Sequence, residues 1–515
     1  MTRTRRFLGG VSLGYLSLGL ATVVGLWLTP FLLGRIGTHD YGLWLITTQI
    51  LGYLMLMDLG VVALAPRETA YATGRVIQGE QDQVAETFAR FRAIVRWQVI
   101  PTAIACAMAW WAVASQWPEL RWPLGTILTA FLIAFPFRLY QATLQGLQDL
   151  PYLGKLQLAA WVSGSAVTIG LVFASAGLAA LAAGWVVTQV VTVLGCALRL
   201  RQRYATLWNA PPAAPSIGEA RELFGRSGWV SLSQIGYVFL NGSDVLVLGA
   251  ILGPAATVPY ACTAKLITVL ANHPQLLMQS AAPAMSEMRT SASRAQLTRV
   301  AIALMRAMLI LSGAVACLVL AINEPFVDWW VGPHQFAGPG LTILLLAGML
   351  VRHVATTLIY ALFSFGHERR LSLTMVSDGV VVIIVTGVLA SFTTLGLASA
   401  ALGSLAGVLL VTLPVCGVAL ARELEITVGE LALSLRGWAI RFAAAAMIIS
   451  VGARLIDADG FAALVIAAIT VAIVYGALMW PLALEDPLGG YVRSVADSMA
   501  GFVGARREPA VEPRV

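Results

Sequence analysis

The sequence predicts an all-α, polytopic membrane protein with about fourteen transmembrane helices. Three observations predict it. Of its 515 residues, 58% are hydrophobic and only 11% are charged, whereas soluble domains are about a quarter charged. Apolar runs of about 20 residues recur from end to end, each long enough to cross a bilayer core as a helix, and they raise the mean hydropathy to +0.81. Arg and Lys concentrate in every second connection, as in a chain threaded back and forth through a membrane. Length alone would suggest roughly three or four soluble domains; the composition overrides it.

The spans are expected at 7–33, 41–65, 93–115, 124–148, 153–176, 178–200, 226–252, 257–286, 298–322, 338–366, 371–392, 395–421, 437–456 and 460–482. The N-terminus, basic and then apolar, could open a signal peptide. Its apolar run continues to about Leu33 without a small-residue cleavage site, so it is taken as the first span. The connection 201–225 contains Pro211, Pro212 and Pro215, then "SIGE" at Ser216–Glu219. That is a capping-box pattern opening an amphipathic stretch on the membrane surface. It divides the chain into an N-lobe over 1–200, a cytoplasmic linker over 201–225, a C-lobe over 226–421, two further spans within 422–482 and a tail over 483–515. A weak internal repeat fits this division. "LLGRIGTHDYGLW" (Leu32–Trp44) and "LGAILGPAATVPYAC" (Leu248–Cys262) both run from an apolar helix through glycines and a short break to a Tyr that opens the next helix. Repeats six spans apart share an orientation, as in transporters built of two lobes.

The charged connections orient the chain. One set carries Arg3, Arg5, Arg6, Arg67, Arg75, Arg90, Arg92, Lys155, Arg199, Arg201, Arg203, Arg221, Arg289, Arg294, Arg369, Arg370, Arg422 and Arg436; the other holds only Arg35, Arg121 and Arg454. This predicts an even number of spans with both termini in the cytoplasm. It also accounts for most of the +7 net charge without any nucleic-acid partner. Trp110, Trp111, Trp117, Trp122, Trp329 and Trp330 crowd two outer connections, and Trp97, Trp229, Trp438 and Trp480 sit near inner ends, forming the aromatic belt. The longest outer connection is expected over Asn323–Pro339.

Catalytic and cofactor signatures are missing. There is no phosphate-binding G-x-x-x-x-G-K-[ST], no H-E-x-x-H and no G-x-S-x-G. The five cysteines lie inside apolar runs without metal-ligand spacing, and the five histidines are scattered. "GSLAG" (Gly403–Gly407) suits close helix packing. No cofactor and no metal are expected, and the chain is taken as a transporter, not an enzyme. A glycan polymerase or ligase would need Glu324, Asp328 and His334 of the outer connection as essential groups.

Charges inside the spans are the candidate site. Asp244 and Lys265 flank a hairpin tip at Pro254. At about 1.5 Å per residue they come level, roughly 12 Å below the surface. Each would cost about 2.5–3.5 kcal/mol facing lipid. Two readings stay open: an ion pair that fixes the hairpin, or a Lys265 that faces a wet passage and binds an anion. Arg138 follows Pro136 in span four, Arg352 and His353 lie halfway along span ten, and Asp58 lies in the inner half of span two. Lys265, Arg138, Arg352 and His353 are therefore the substrate-binding candidates. Asp244 and Asp58 are candidates for ion coupling or ion pairing.

The stretches Gly14–Ile46, Asp58–Ala70 ("DLGVVALAPRETA"), Asp244–Leu266 and Ala281–Met288 ("AAPAMSEM") resemble Wzx-type O-antigen and exopolysaccharide flippases of the multidrug/oligosaccharidyl-lipid/polysaccharide exporter superfamily. The resemblance implies two pseudo-symmetric six-helix lobes around a central cavity, plus two C-terminal helices. It implies alternating access that moves an undecaprenyl-pyrophosphate-linked oligosaccharide between leaflets, with membrane lipids, the polysaccharide polymerase and export machinery, and H+ or Na+ as partners. Related lipid II flippases hold pyrophosphate with cavity cations, which Lys265 matches best. Their basic residues on the first spans have no clear counterpart here, which argues against lipid II itself as substrate. A same-fold rival is an organic-cation antiporter using Asp58 or Asp244.

Overall fold

The computed structural model describes residues 3–77, 83–211, 217–291, 293–453, 460–486, 488–490 and 493. Among them every regular element is helical. This is the outcome lipid demands, because a helix satisfies its own backbone groups where water cannot. The chain packs as two compact units, Met1–Val258 and Pro259–Val515.

The first unit holds α1 (Arg3–Leu54), α2 (Val61–Ile77), α3 (Gln83–Gln116), α4 (Arg121–Ala134), α5 (Arg138–Gly146), α6 (Leu150–Phe173), α7 (Leu178–Arg203), α8 (Ala205–Trp208) and α9 (Ile217–Leu252). Helix α10 (Pro254–Thr263) runs across the division. The second unit continues with α11 (Lys265–Leu270), α12 (Asn272–Ser291), α13 (Arg294–Val331), α14 (Pro339–Ser364), α15 (Glu368–Phe392), α16 (Ala398–Gly407), α17 (Leu413–Leu424), α18 (Val428–Leu433), α19 (Arg436–Ala453) and α20 (Phe461–Leu484). On α3 the side chains of Trp97, Ile100, Ile104, Met108 and Trp111 form one exposed face at helical spacing. A stripe that apolar and that exposed belongs in hydrocarbon.

Among the described residues the expected fourteen spans meet eleven helices long and apolar enough to cross a membrane, or twelve with one bent pair. The expected spans one, two and eight are the ones outside the eleven. Helix α1 has 52 residues, about 78 Å at 1.5 Å per residue, far beyond a bilayer core. Gly37 (φ 83, ψ 167) is not helical, so α1 is two helices, the first and second spans, abutting at a kink. The eighth span is cut at Ala264 and Ala271 into α10, α11 and α12. At Gly37 a Cβ would meet nothing within 4 Å, so only the backbone resists substitution. Gly37→Ala should therefore cost about 1–3 kcal/mol, seen as a lower melting temperature of the detergent-solubilised protein.

Other expectations meet the described residues as follows. The seventh span, in α9, packs on α1. Ser216 lies outside the described residues, and the surface stretch expected after it is the start of α9, continuous with the span. Asn323–Val331 is the end of α13 and not a loop. Arg454 and most of the tail, including Arg506, Arg507 and Arg514, also lie outside the described residues.

Within each unit the helices close on small residues. Gly164 and Gly184 face each other across α6 and α7; a Cβ on either would stand 2.7 Å from the other's carbonyl oxygen. The Gly184 notch receives Thr168, and that of Gly164 receives Thr188. In the second unit the Gly403 notch on α16 receives Thr386 of α15. The pairs Gly37/Gly253, Thr168/Thr386 and Gly184/Gly403 recur at nearly one separation along the chain, and both hairpin glycines have positive φ, 83° and 91°.

Candidate functional site

The charges expected inside the spans are organised differently in the two units. In the first, span two breaks. Met55–Asp58 is a 3-10 turn, Leu59 and Gly60 have φ of 49° and 70°, and α2 leaves at 52°. A break inside a membrane frees carbonyls that need donors. Gln98 Nε2 donates to Asp58 O at 2.8 Å, and Arg138 Nη1 to Met55 O at 3.3 Å. The Asp58 carboxylate accepts from Gly60 N–H at 2.9 Å and pairs with Arg138 Nη2 at 3.1 Å. Pro136 sits in the short 3-10 turn that ends at Phe137, so α5 opens on Arg138, whose guanidinium lies over the Phe135 ring at 5.7 Å. Asp58 is sealed, with 4% of its side chain exposed, while Arg138 keeps 25%.

In the second unit Arg352 of α14 grips Asp378 of α15 through both Nη atoms, at 3.2 and 3.4 Å. Its Nε donates to Ser404 Oγ at 2.9 Å and its Nη2 also to Ser404 O at 3.0 Å. The Thr412 hydroxyl donates to Asp378 Oδ2. Thr412 ends a π-helical turn over Val408–Thr412, a widening of the kind found at functional sites. Four of the five donor hydrogens of Arg352 are thus used, and the fifth, on Nη1, is not. Asp378 is 1% exposed at its side chain and Arg352 24%. Both arginines lie on the fourth span of their half of the chain, each with a buried carboxylate behind it and one partly exposed edge.

The other candidates separate. His353, expected at a wet passage, is 2% exposed and its Nδ1 is bonded to the Ser312 hydroxyl. It is a buried packing residue in this conformation, because its position on α14 points toward α13 and not along the Arg352 face. Lys265 is partly buried, is the first residue of α11 after the break at Ala264, and makes no ion pair among the described residues of its own unit. Asp244 lies partly buried on α9 of the first unit. Among the described residues no group of three or more His, Cys, Asp or Glu could hold a metal ion.

Sequence reasoning missed Asp378. It is the only acidic residue between Arg370 and Arg422 and sits in "TMVSDGVVVIIV". An acid inside so apolar a run marks a functional or paired group, so the signal was present.

A family model described as "Polysaccharide biosynthesis protein" matches residues 76–336, just over half of the chain. The chain belongs to this family of polysaccharide biosynthesis proteins. No curated protein sequence matches it significantly. Among solved structures it is similar to the lipid II flippase MurJ in an inward closed conformation, with 10% identity and a TM-score of 0.56 over 92% of this chain and 100% of that one. It is also similar to an inward-facing multidrug resistance MATE family transporter of the MOP superfamily, with 15% identity and a TM-score of 0.54 over 77% of this chain and 95% of that one. At these identities the likeness establishes the fold: this family member has a MATE- and MurJ-like all-helical transporter fold in a multi-pass membrane protein.

Proposed function

We propose that this polysaccharide biosynthesis protein is a flippase. It carries an undecaprenyl-pyrophosphate-linked oligosaccharide across the bacterial inner membrane by alternating access, and both its termini face the cytoplasm. The observation that carries the reading is the pair of matching arginines, Arg138 and Arg352, in a chain of this family. Each is held from behind by a buried carboxylate and presents an edge that a phosphate can take. A pyrophosphate-sugar head cannot enter hydrocarbon, whereas its prenyl tail need not leave it. Arg352 keeps one Nη1 N–H for a phosphate oxygen, and Lys265 of the same unit is a further candidate, as a point charge.

No step in this cycle makes or breaks a covalent bond, so the protein is a carrier and not a catalyst. With no nucleotide motif in the sequence, the drive is H+ or Na+ coupling through Asp58 or Asp244, the membrane potential, or removal of product by the polymerase and export machinery. The potential supplies about 2.3 kcal/mol per charge per 100 mV.

Lys265→Ala should lower surface glycan at least about tenfold at unchanged membrane abundance, because one phosphate contact is worth roughly 1.5–3 kcal/mol. Lys265→Arg should restore part of it. Full export by Lys265→Ala removes Lys265 from the site, and resistance to organic cations in an expressing strain would favour antiport.

A further inference from the structure

A cavity of about 360 Å³ lies in the first unit, where α5 hands over to α6 and α7 ends. Helices α6 and α7 are both long and apolar enough to be spans, so the cavity stands at a membrane boundary, the depth of lipid headgroups. Every residue that lines it is described.

A tight turn builds its floor. Asp149 N–H donates to Leu144 O and Gln148 N–H to Gln145 O, both at 3.0 Å, and Gln148 takes φ 57°. This is the left-handed helix ending that glycine usually provides. It sets Asp149 immediately before α6, where the carboxylate meets Arg199 of α7. Arg199 Nε donates to Oδ2 at 2.7 Å and Nη2 to Oδ1 at 3.1 Å. The guanidinium also lies 4.5 Å from the centre of the Tyr152 ring, and the Tyr152 hydroxyl donates to Gly195 O at 2.8 Å. Arg199 is thereby fixed on two sides. Its two Nη1 hydrogens and the second Nη2 hydrogen have no partner among the described residues.

Two further cations line the cavity. Arg203 follows Arg199 by one turn on α7, and Lys155 stands on α6. Neither has a hydrogen-bond or ion-pair partner among the described residues. Like charges four residues apart on a helix repel. Arg203 complements the C-terminal end of α7, but Lys155 stands near the start of α6, where the helix dipole gives a cation no support. Three cations against one carboxylate leave a formal surplus of two positive charges on the wall. The one acidic group is already committed, to Arg199 and, at 3.5 Å, to the Tyr204 hydroxyl. Gln148 and the two tyrosines are uncharged. The wall therefore suits an anion with several oxygens, which an arginine edge can fork and a lysine can neutralise.

We propose that this cavity binds a phosphate group whose negative charge is not balanced by a cation of its own, with its oxygens at the free edge of Arg199, Lys155 and Arg203. The headgroup of an anionic phospholipid and soluble phosphate both present that group, and a basic pocket between spans is a recognised host for lipid headgroups. The proposal is independent of which glycan is carried.

The test uses the full-length protein in maltoside detergent. Native mass spectrometry follows titration with dioleoyl phosphatidylglycerol and, separately, with its choline counterpart; isothermal titration calorimetry follows inorganic phosphate. The pocket variant is Lys155→Gln/Arg203→Gln. The control is Arg201→Gln/Arg422→Gln, which removes the same charge outside the cavity. All four side chains are exposed, so neutralising them spares the fold. Phosphatidylglycerol, inorganic phosphate or both should bind wild type at least about tenfold more tightly than the pocket variant, since charge-assisted hydrogen bonds are the strong ones. The control should stay within about twofold of wild type. The choline lipid, whose own ammonium balances its phosphate, should bind at least about tenfold more weakly than whichever anion binds. Binding of phosphatidylglycerol without inorganic phosphate assigns the site to membrane lipid, and the reverse assigns it to a soluble ligand. The proposal is overturned if neither anion binds, if the pocket and control variants bind equally, or if the choline lipid matches the bound anion.

Discussion

Asp378→Ala should destabilise the protein by about 3–5 kcal/mol, the cost of removing one partner from a buried ion pair. The physical account has three parts. Arg352 loses the anion that both its Nη atoms address, yet its guanidinium stays charged in surroundings that solvate it poorly. The Thr412 hydroxyl loses its acceptor at the π-helical turn. The space beside Gly407, which Asp378 Oδ1 fills, is emptied. Denaturation of the detergent-solubilised protein should show the loss directly. Asp378→Asn should lose less, because it keeps the shape and one acceptor. Combining Asp378→Ala with Arg352→Met should recover at least half of the loss, since replacing a whole buried pair by apolar groups is often near neutral. A wild-type melting curve for Asp378→Ala would mean that water already solvates Arg352, and the pair would cease to be structural.

Gly184→Val should cost about 3 kcal/mol, the upper end of the usual range for overpacking. The new Cβ would overlap Thr168 Oγ1 and approach the Gly164 carbonyl oxygen to 2.7 Å. A threonine can rotate away, but a helical carbonyl cannot, so α6 and α7 must separate along their crossing. Helix association in lipid depends on such close backbone approach, because apolar burial alone does not drive it. Gly170→Val is the control: it lies on the same α6, yet a Cβ there meets nothing within 4 Å. Equal melting temperatures for the two variants would show that the α6–α7 contact does not limit stability.

Much of this was legible in the residues. Apolar run length and the Arg alternation carry the class and nearly every span, because bilayer thickness dictates helix length whatever the neighbours are. Hairpin glycines were visible too: Gly37 and Gly253 stand in the two similar stretches, and both take positive φ. Arg138, Arg352 and Asp58 were singled out as charges inside spans. Their pairing was not. Asp58 and Arg138 are 80 residues apart and Arg352 and Asp378 26, and nothing local says which helix faces which. His353 shows the same limit, since a residue beside Arg352 on a helix points elsewhere by about 100°.

Segment hydropathy alone makes this chain a bundle of membrane-crossing helices with a few costly charges inside it, because transfer from water to hydrocarbon is a property of each segment. Which charges hold one another, and which polar atoms are left over, follows from how the helices come together. Asp378 was placed behind Arg352 and Arg199 was left with a free edge by the way helices pack, and packing depends on notches such as Gly164 and Gly184 that take their meaning from the partner helix.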